Sequence, residues 1–364
     1  MWIKNKKISE RQAFRLFTFD FVGVGSLILP AYLAQICGGY GLLAIAIGCI
    51  AGILYLGLLK RCQQSLQKNL DGYARQEWNK PVYIFFLGWL VLHCIVLAGF
   101  LSYVFVSLVQ QSQIQQESFW LLALVILLVA GYSAFSGIES RARMYEILFF
   151  IIFVPLVVML VLSVRQVEVE YLLPASEFSL KDTLKGAYGV FLLFGLSFWT
   201  LFFPEYMERQ GKGMHVCVRK AMSFAIVLLV AVYVLALGNF GEKALASLEF
   251  PTVTLMSTIQ LSGGFVKRLD ILMLAVWFFT LLSLLSQHLF YAHTLWLTIS
   301  QKKTEGIKKL VLLCFVFGVA LLFAYKKEVS YRVFFTYLLY ISTPLFVLVP
   351  ILILFFHRRK QGIA

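Results

Sequence analysis

Charged side chains are scarce: Asp, Glu, Lys and Arg make up 14% of the 364 residues, and the 18 acidic ones are few and scattered. A hydrolytic carboxylate dyad has no evident seat. No P-loop, HExxH, GxSxG, kinase signature or strand-bound GxGxxG occurs, so an enzyme is not expected. Six cysteines (Cys37, Cys49, Cys62, Cys94, Cys217, Cys314) form no CxxC or metal-ligand spacing, which leaves no expected metal or cofactor. No basic groove motif accompanies the net charge of +14, so no nucleic-acid partner is expected either.

What the sequence has is apolar surface. Hydrophobic residues are 60% of the chain and mean hydropathy is +0.84. Each bilayer crossing takes about 20 apolar residues, and the runs predict an all-α membrane protein of ten spans. They cover 13–33, 42–59, 82–109, 119–134, 145–164, 184–203, 221–238, 269–297, 310–324 and 333–356. The basic amino terminus, Met1 to Arg15, flanks an apolar run as in a signal peptide, but no A-x-A-like site follows, so it reads as an uncleaved first span. The stretch Phe250–Leu261 is too short to cross and is expected as a surface or re-entrant helix.

Placing the amino terminus inside puts 23 Lys and Arg in cytoplasmic segments, Arg141 and Arg143 among them, against 9 in outer ones. That bias puts both termini in the cytoplasm. Only Cys37 then faces outward, so no extracellular disulfide framework is expected. The outer loop holding Glu168, Glu170, Glu177 and Asp182 is either a vestibule or docking surface, or an ordinary solvated loop.

Two spans carry interruptions. The first has Gly23-Val24-Gly25-Ser26 in mid-membrane and Pro30 five residues on. Glycine costs about 1 kcal/mol and proline about 3 in a helix interior, so an unwound segment offering amides to an anion is favoured over close packing at glycines. Five spans later, Phe194-Gly195-Leu196-Ser197-Phe198-Trp199 repeats the pattern, ending at Pro204. Ionisable residues inside a membrane are functional candidates. Asp20 is set either to neutralise a cation, a substrate amine or Arg15, or to lie in an aqueous mouth. His93 in the third span is an interhelical hydrogen-bonder or a proton relay. Thr280, Ser283 and Ser286 share one face of the eighth span, lining a cation or substrate site or else bonding their own helix. His288 and His293 are expected near the cytoplasmic interface, and Asp270 in an outer ion pair with Lys267 and Arg268.

The opening Lys7-Ile8-Ser9-Glu10-Arg11-Gln12-Ala13-Phe14, the Gly23–Pro30 element, and Gly137-Ile138-Glu139-Ser140-Arg141-Ala142-Arg143-Met144-Tyr145-Glu146 together resemble the B-subunit family of spore germinant receptors. That family is a branch of the amino acid–polyamine–organocation transporter superfamily. The resemblance implies a leucine-transporter-type fold of two inverted five-helix repeats, 13–164 and 184–356, with helices 1 and 6 broken. It implies a small-molecule ligand, an amino acid or similar germinant, and partnership in the spore inner membrane with an A-type membrane subunit and a C-type lipoprotein. Carried over by position, Gly23, Val24, Gly25 and Ser26 would offer backbone groups to a ligand carboxylate, with Phe194, Gly195, Leu196, Ser197 and Phe198 as the opposite wall and Thr280 nearby. Asp20, Ser283, Ser286 and His93 are the candidates for a coupling or ion site. The sixth-span break lacks the acidic residue many members hold there, so its aromatic wall suits an apolar or aromatic ligand. A proton- or sodium-coupled amino acid permease is the alternative; it would need a coupling residue, and no lysine lies in the fifth span to stand in for a cation.

Overall fold

The computed structural model describes residues 7–66, 69–112, 117–208, 213–258, 269–300 and 305–361. The helices are α1 (Glu10–Cys37), α2 (Gly41–Ser65), α3 (Leu70–Glu77), α4 (Lys80–Ser112), α5 (Phe119–Phe135), α6 (Ile138–Ser163), α7 (Leu180–Phe194), α8 (Gly213–Ser247), α9 (Pro251–Ser257), α10 (Leu269–Ser300), α11 (Glu305–Tyr325), α12 (Lys327–Tyr337) and α13 (Thr343–Gln361). Among the described residues, eight stretches are long and apolar enough to cross a bilayer. The first of them, Glu10–Ser65, is two helices parted at Gly38–Tyr40, and the 17-residue α5 completes ten spans. The last span joins α12 to α13 through a π-helical turn at Leu338–Ser342.

The spans pair in a pattern that survives exchanging each with the one five places on. The first (α1) packs on the seventh (α8), as the sixth (α7) packs on the second (α2), and the third (α4) packs on the eighth (α10). Two interlocked inverted halves produce such pairing. Many of the exposed large hydrophobics, such as Leu54, Phe85, Val227 and Phe355, lie on the spans' outer faces, which is the surface a bilayer requires.

The expected unwinding of the first span does not occur: α1 is helical from Glu10 to Cys37, with Pro30 inside it. Two local contacts make this possible. Its glycines serve close packing on two sides, since a Cβ on Gly23 would sit 3.3 Å from the Thr280 carbonyl oxygen and one on Gly25 would sit 2.6 Å from a Leu193 methyl. Proline has no N–H, so the Ser26 carbonyl four residues back loses its helical partner. The Thr252 hydroxyl of α9 donates to that carbonyl. The 250–261 stretch is therefore no surface helix over its described part: Pro251, Thr252, Leu255 and Met256 are buried, and α9 packs on α1 and α10. Thr252→Val should cost about 1–3 kcal/mol, the penalty of an unpaired buried carbonyl. The same change in a Pro30→Ala background, where the backbone regains the missing N–H, should cost much less; melting of the four proteins checks this.

Candidate functional site

The sixth span is the one that breaks. The α-helix ends at Phe194 and the chain continues as 3₁₀ helix over Gly195–Leu201. The Gly195 N–H is shared between the carbonyls of Leu192 and Phe191, the tightening that turns one helix type into the other. A cavity opens beside this junction. α1 contributes Gly25, Ile28, Leu29 and Tyr32; α4 contributes His93, Leu97 and Phe100; the sixth span contributes Gly195, Leu196 and Trp199. Leu284 and His288 of α10 and Phe334, Ser342 and Phe346 of the last span close it. Among the described residues that line it there is no Asp, Glu, Lys or Arg. Its aromatic walls are braced by stacking: Phe100 on Phe334 at 3.6 Å between centroids, Trp199 on Tyr291 at 3.9 Å, Tyr32 on Phe335 at 4.7 Å. The π turn in the last span sets Ser342 where it meets His93, whose Nδ1 lies 3.2 Å from the Ser342 hydroxyl and 3.0 Å from that of Tyr337.

Of the predicted ligand residues, Gly25, Gly195 and Leu196 reach this cavity, and so does His93, a candidate for the coupling or ion site. Val24 aside, the others do not line it. Gly23 lies against Thr280, Val24 follows it in α1, and Ser26 bonds the Val22 carbonyl of its own helix. Ser197 is buried and its carbonyl accepts from Thr200. Phe194 turns to Phe21 at 5.7 Å and Phe198 to Phe346 at 4.5 Å, so the aromatic wall falls to Trp199 and to rings from other spans. Because α1 is continuous, its amides are engaged in helix and do not present the expected carboxylate cradle.

Asp20, Ser283 and Ser286 do come together, around a residue the sequence reading left in a cytoplasmic loop. Helix α6 starts at Gly137, whose φ of 92° only glycine adopts readily, and so Arg141 enters the bundle, 1% exposed. Its guanidinium donates to the Ser283 carbonyl at 3.3 Å and lies over the Phe290 ring at 5.8 Å. Asp20, 3% exposed and so outside any aqueous mouth, lies beside Arg141 and the Ser283 hydroxyl. Arg15, the partner foreseen for Asp20, instead pairs with Glu146 at 3.1 Å. Thr280 and Ser286 spend their hydroxyls on helix carbonyls, of Trp277 and Ser283. His288 and His293 are buried, with His288 on the cavity wall. The ion pair expected for Asp270 lies outside the described residues.

The start of the first span is tied to the end of the sixth. The Ile8 N–H donates to the Tyr206 carbonyl at 2.7 Å and the Glu208 N–H to Ile8 at 3.1 Å, a single parallel bridge. Glu146 of α6 gathers Arg11, Gln12 and Arg15 of the first turns of α1. The GIExxAR-like motif thus contributes Arg141 to the core and Glu146 to this tie. Hydropathy hid Arg141, because the apolar run of the fifth span begins four residues after it.

A family model described as spore germination protein matches residues 7–332. Curated relatives include spore germination protein B2 of Bacillus subtilis, 21% identical over 74% of both chains, and spore germination protein GerLB of Bacillus cereus, 22% identical over 98% of this chain and 96% of that one. Among solved structures, Mhp1, a nucleobase-cation-symport-1 family transporter in a closed conformation with bromovinylhydantoin bound, superposes with a TM-score of 0.61. It is 12% identical, over 88% of this chain and 72% of that one, and this likeness establishes the leucine-transporter-type fold.

Proposed function

The chain belongs to the spore germination protein family, and on that premise we propose that it is the membrane subunit of a germinant receptor, binding a small molecule in the central cavity and signalling to partner subunits. The cavity beside the broken sixth span, with the start of the first span tied to the end of the sixth, is the observation that carries the reading. Ligand entering there touches both halves of the fold, so occupancy can bias how the halves sit. An A-type membrane subunit and a C-type lipoprotein, in the spore inner membrane, are the partners that receive the change. The basic bias of 23 to 9 supports cytoplasmic termini.

The permease alternative needs a coupling ion. Sodium is disfavoured by Arg141, whose guanidinium already takes the Ser283 carbonyl and supplies a positive charge beside Asp20. A proton remains the alternative, with Asp20 its carrier. An amino acid is the ligand class the cavity supports least, since no charged side chain lines it among the described residues. Purified protein in liposomes should give saturable binding from a panel of amino acids and uncharged aromatic compounds, with no time-dependent accumulation with or without a proton or sodium gradient. Gradient-driven accumulation would make it a permease.

A further inference from the structure

We propose that His93 presents an N–H donor to the cavity and selects an uncharged, flat ligand by a carbonyl-type acceptor; this rests on the cavity being the ligand site. The ring is 2% exposed and lines the cavity. Both of its polar contacts fall on Nδ1, from Tyr337 and Ser342. The hydroxyl proton of Tyr337 has no other acceptor among the described residues, and neither has that of Ser342. Were Nδ1 protonated, both hydroxyl protons would be left without an acceptor in a buried setting. A bare Nδ1 accepts at least one of them. The uncharged ring therefore carries its proton on Nε2, which has no hydrogen-bond partner among the described residues. Trp89 stacks on the ring with planes 20° apart and the edge of Phe346 meets it at 4.7 Å, so its orientation is fixed.

Ligand class follows from what surrounds this donor. Burying an ionised group without a charged or multiply bonded partner is costly, and the wall offers neither an opposite charge nor the free amides of an unwound first span. A single neutral N–H pairs well with one carbonyl oxygen or ring nitrogen, and the stacked rings of Phe100 and Trp199 offer faces to a planar body. The recognised molecule is an uncharged ring compound with one acceptor set against N–H.

Three probes of similar size test this by ligand-observed NMR on the purified protein in nanodiscs: 1-indanone, which has the carbonyl, indane, which lacks it, and zwitterionic L-phenylalanine. The wild type should bind 1-indanone at least tenfold more tightly than indane and phenylalanine least. His93→Phe keeps the ring and should erase the indanone preference. His93→Gln, which keeps an N–H near Nε2, should retain most of it and serves as well if the Phe variant misfolds. Nitrogen-15 shifts of the His93 ring should report Nε2–H. Equal binding of indanone and indane to the wild type, a preference unmoved in His93→Phe, or an Nδ1–H ring overturns the proposal. Preferred binding of phenylalanine overturns the uncharged class and leaves the receptor reading standing. Binding of none of the three overturns the proposal and counts against the cavity as ligand site.

Discussion

Arg141→Met should lower the stability of the folded protein by about 1–3 kcal/mol, because it removes the positive charge beside a buried carboxyl group and the donor to the Ser283 carbonyl. Asp20 and Arg141 are 3% and 1% exposed and sit in a bundle whose outside is lipid. Asp20 lies on α1, Arg141 on α6, and Arg141 donates to α10, so three spans meet around these two groups, which lie near each other with no ion pair between them among the described residues. Hydrophobic packing alone would bind them as well, since replacing a whole buried pair by apolar residues is often neutral or stabilising. Asp20→Leu with Arg141→Met should therefore recover most of the loss. Unfolding of the wild type, both single variants and the double variant in detergent, read as a double-mutant cycle, measures the coupling. If the double variant is no more stable than Arg141→Met, the two charges do not compensate each other.

A charge pair that contributes little net stability still fixes which residues may face each other as α1 shifts against α6 and α10. The Glu146 contacts with Arg11, Gln12 and Arg15 join the same two helices. Cavity, buried pair and Glu146 contacts lie in sequence along α1, at Gly25, Asp20 and Arg11 to Arg15, so one rigid helix links them.

How much of this the residues disclose depends on the scale at which each feature is decided. Spans are decided by twenty-residue averages, and those were legible: the ten runs and the ten spans agree to within a few residues at most ends. The break at Gly195 was legible too, because glycine followed by small and polar residues has few other readings inside a membrane. The same reasoning failed at Gly23 and Gly25, where the answer lay in other spans. Thr280 and Leu193 are more than 150 residues away, and it is their approach that uses the missing side chains. Likewise Pro30 suggested a break, but Thr252, more than 200 residues on, supplies the donor that keeps the helix whole. Phe194 and Phe198 were assigned to the wall from the span alone, yet the passage from α to 3₁₀ rotates successive residues differently, and Trp199 faces inward instead. Arg141 was misplaced because a charged first turn looks like loop to a hydropathy window, whereas a glycine with positive φ begins the helix there.

Gly195→Leu should abolish ligand binding, by a hundredfold or more, while leaving the fold as stable as the wild type or slightly more so. Gly195 has helical φ and ψ of −56° and −27°, which leucine adopts freely. A Cβ built there meets nothing within 4 Å, and the residue lines the cavity, so the added side chain occupies ligand space. Losing glycine's flexibility in the unfolded chain adds about 0.4–1 kcal/mol. Gly25→Leu is the instructive contrast. It too points at the cavity, but its Cβ would lie 2.6 Å from Leu193, so overpacking of about 1–3 kcal/mol accompanies any loss of binding. The two variants separate blocking from damage: saturation binding and melting should fall together in Gly25→Leu and part company in Gly195→Leu. Full binding by Gly195→Leu would mean that ligand sits elsewhere, and the receptor reading would need another site. Binding lost with stability kept places the ligand at the broken sixth span.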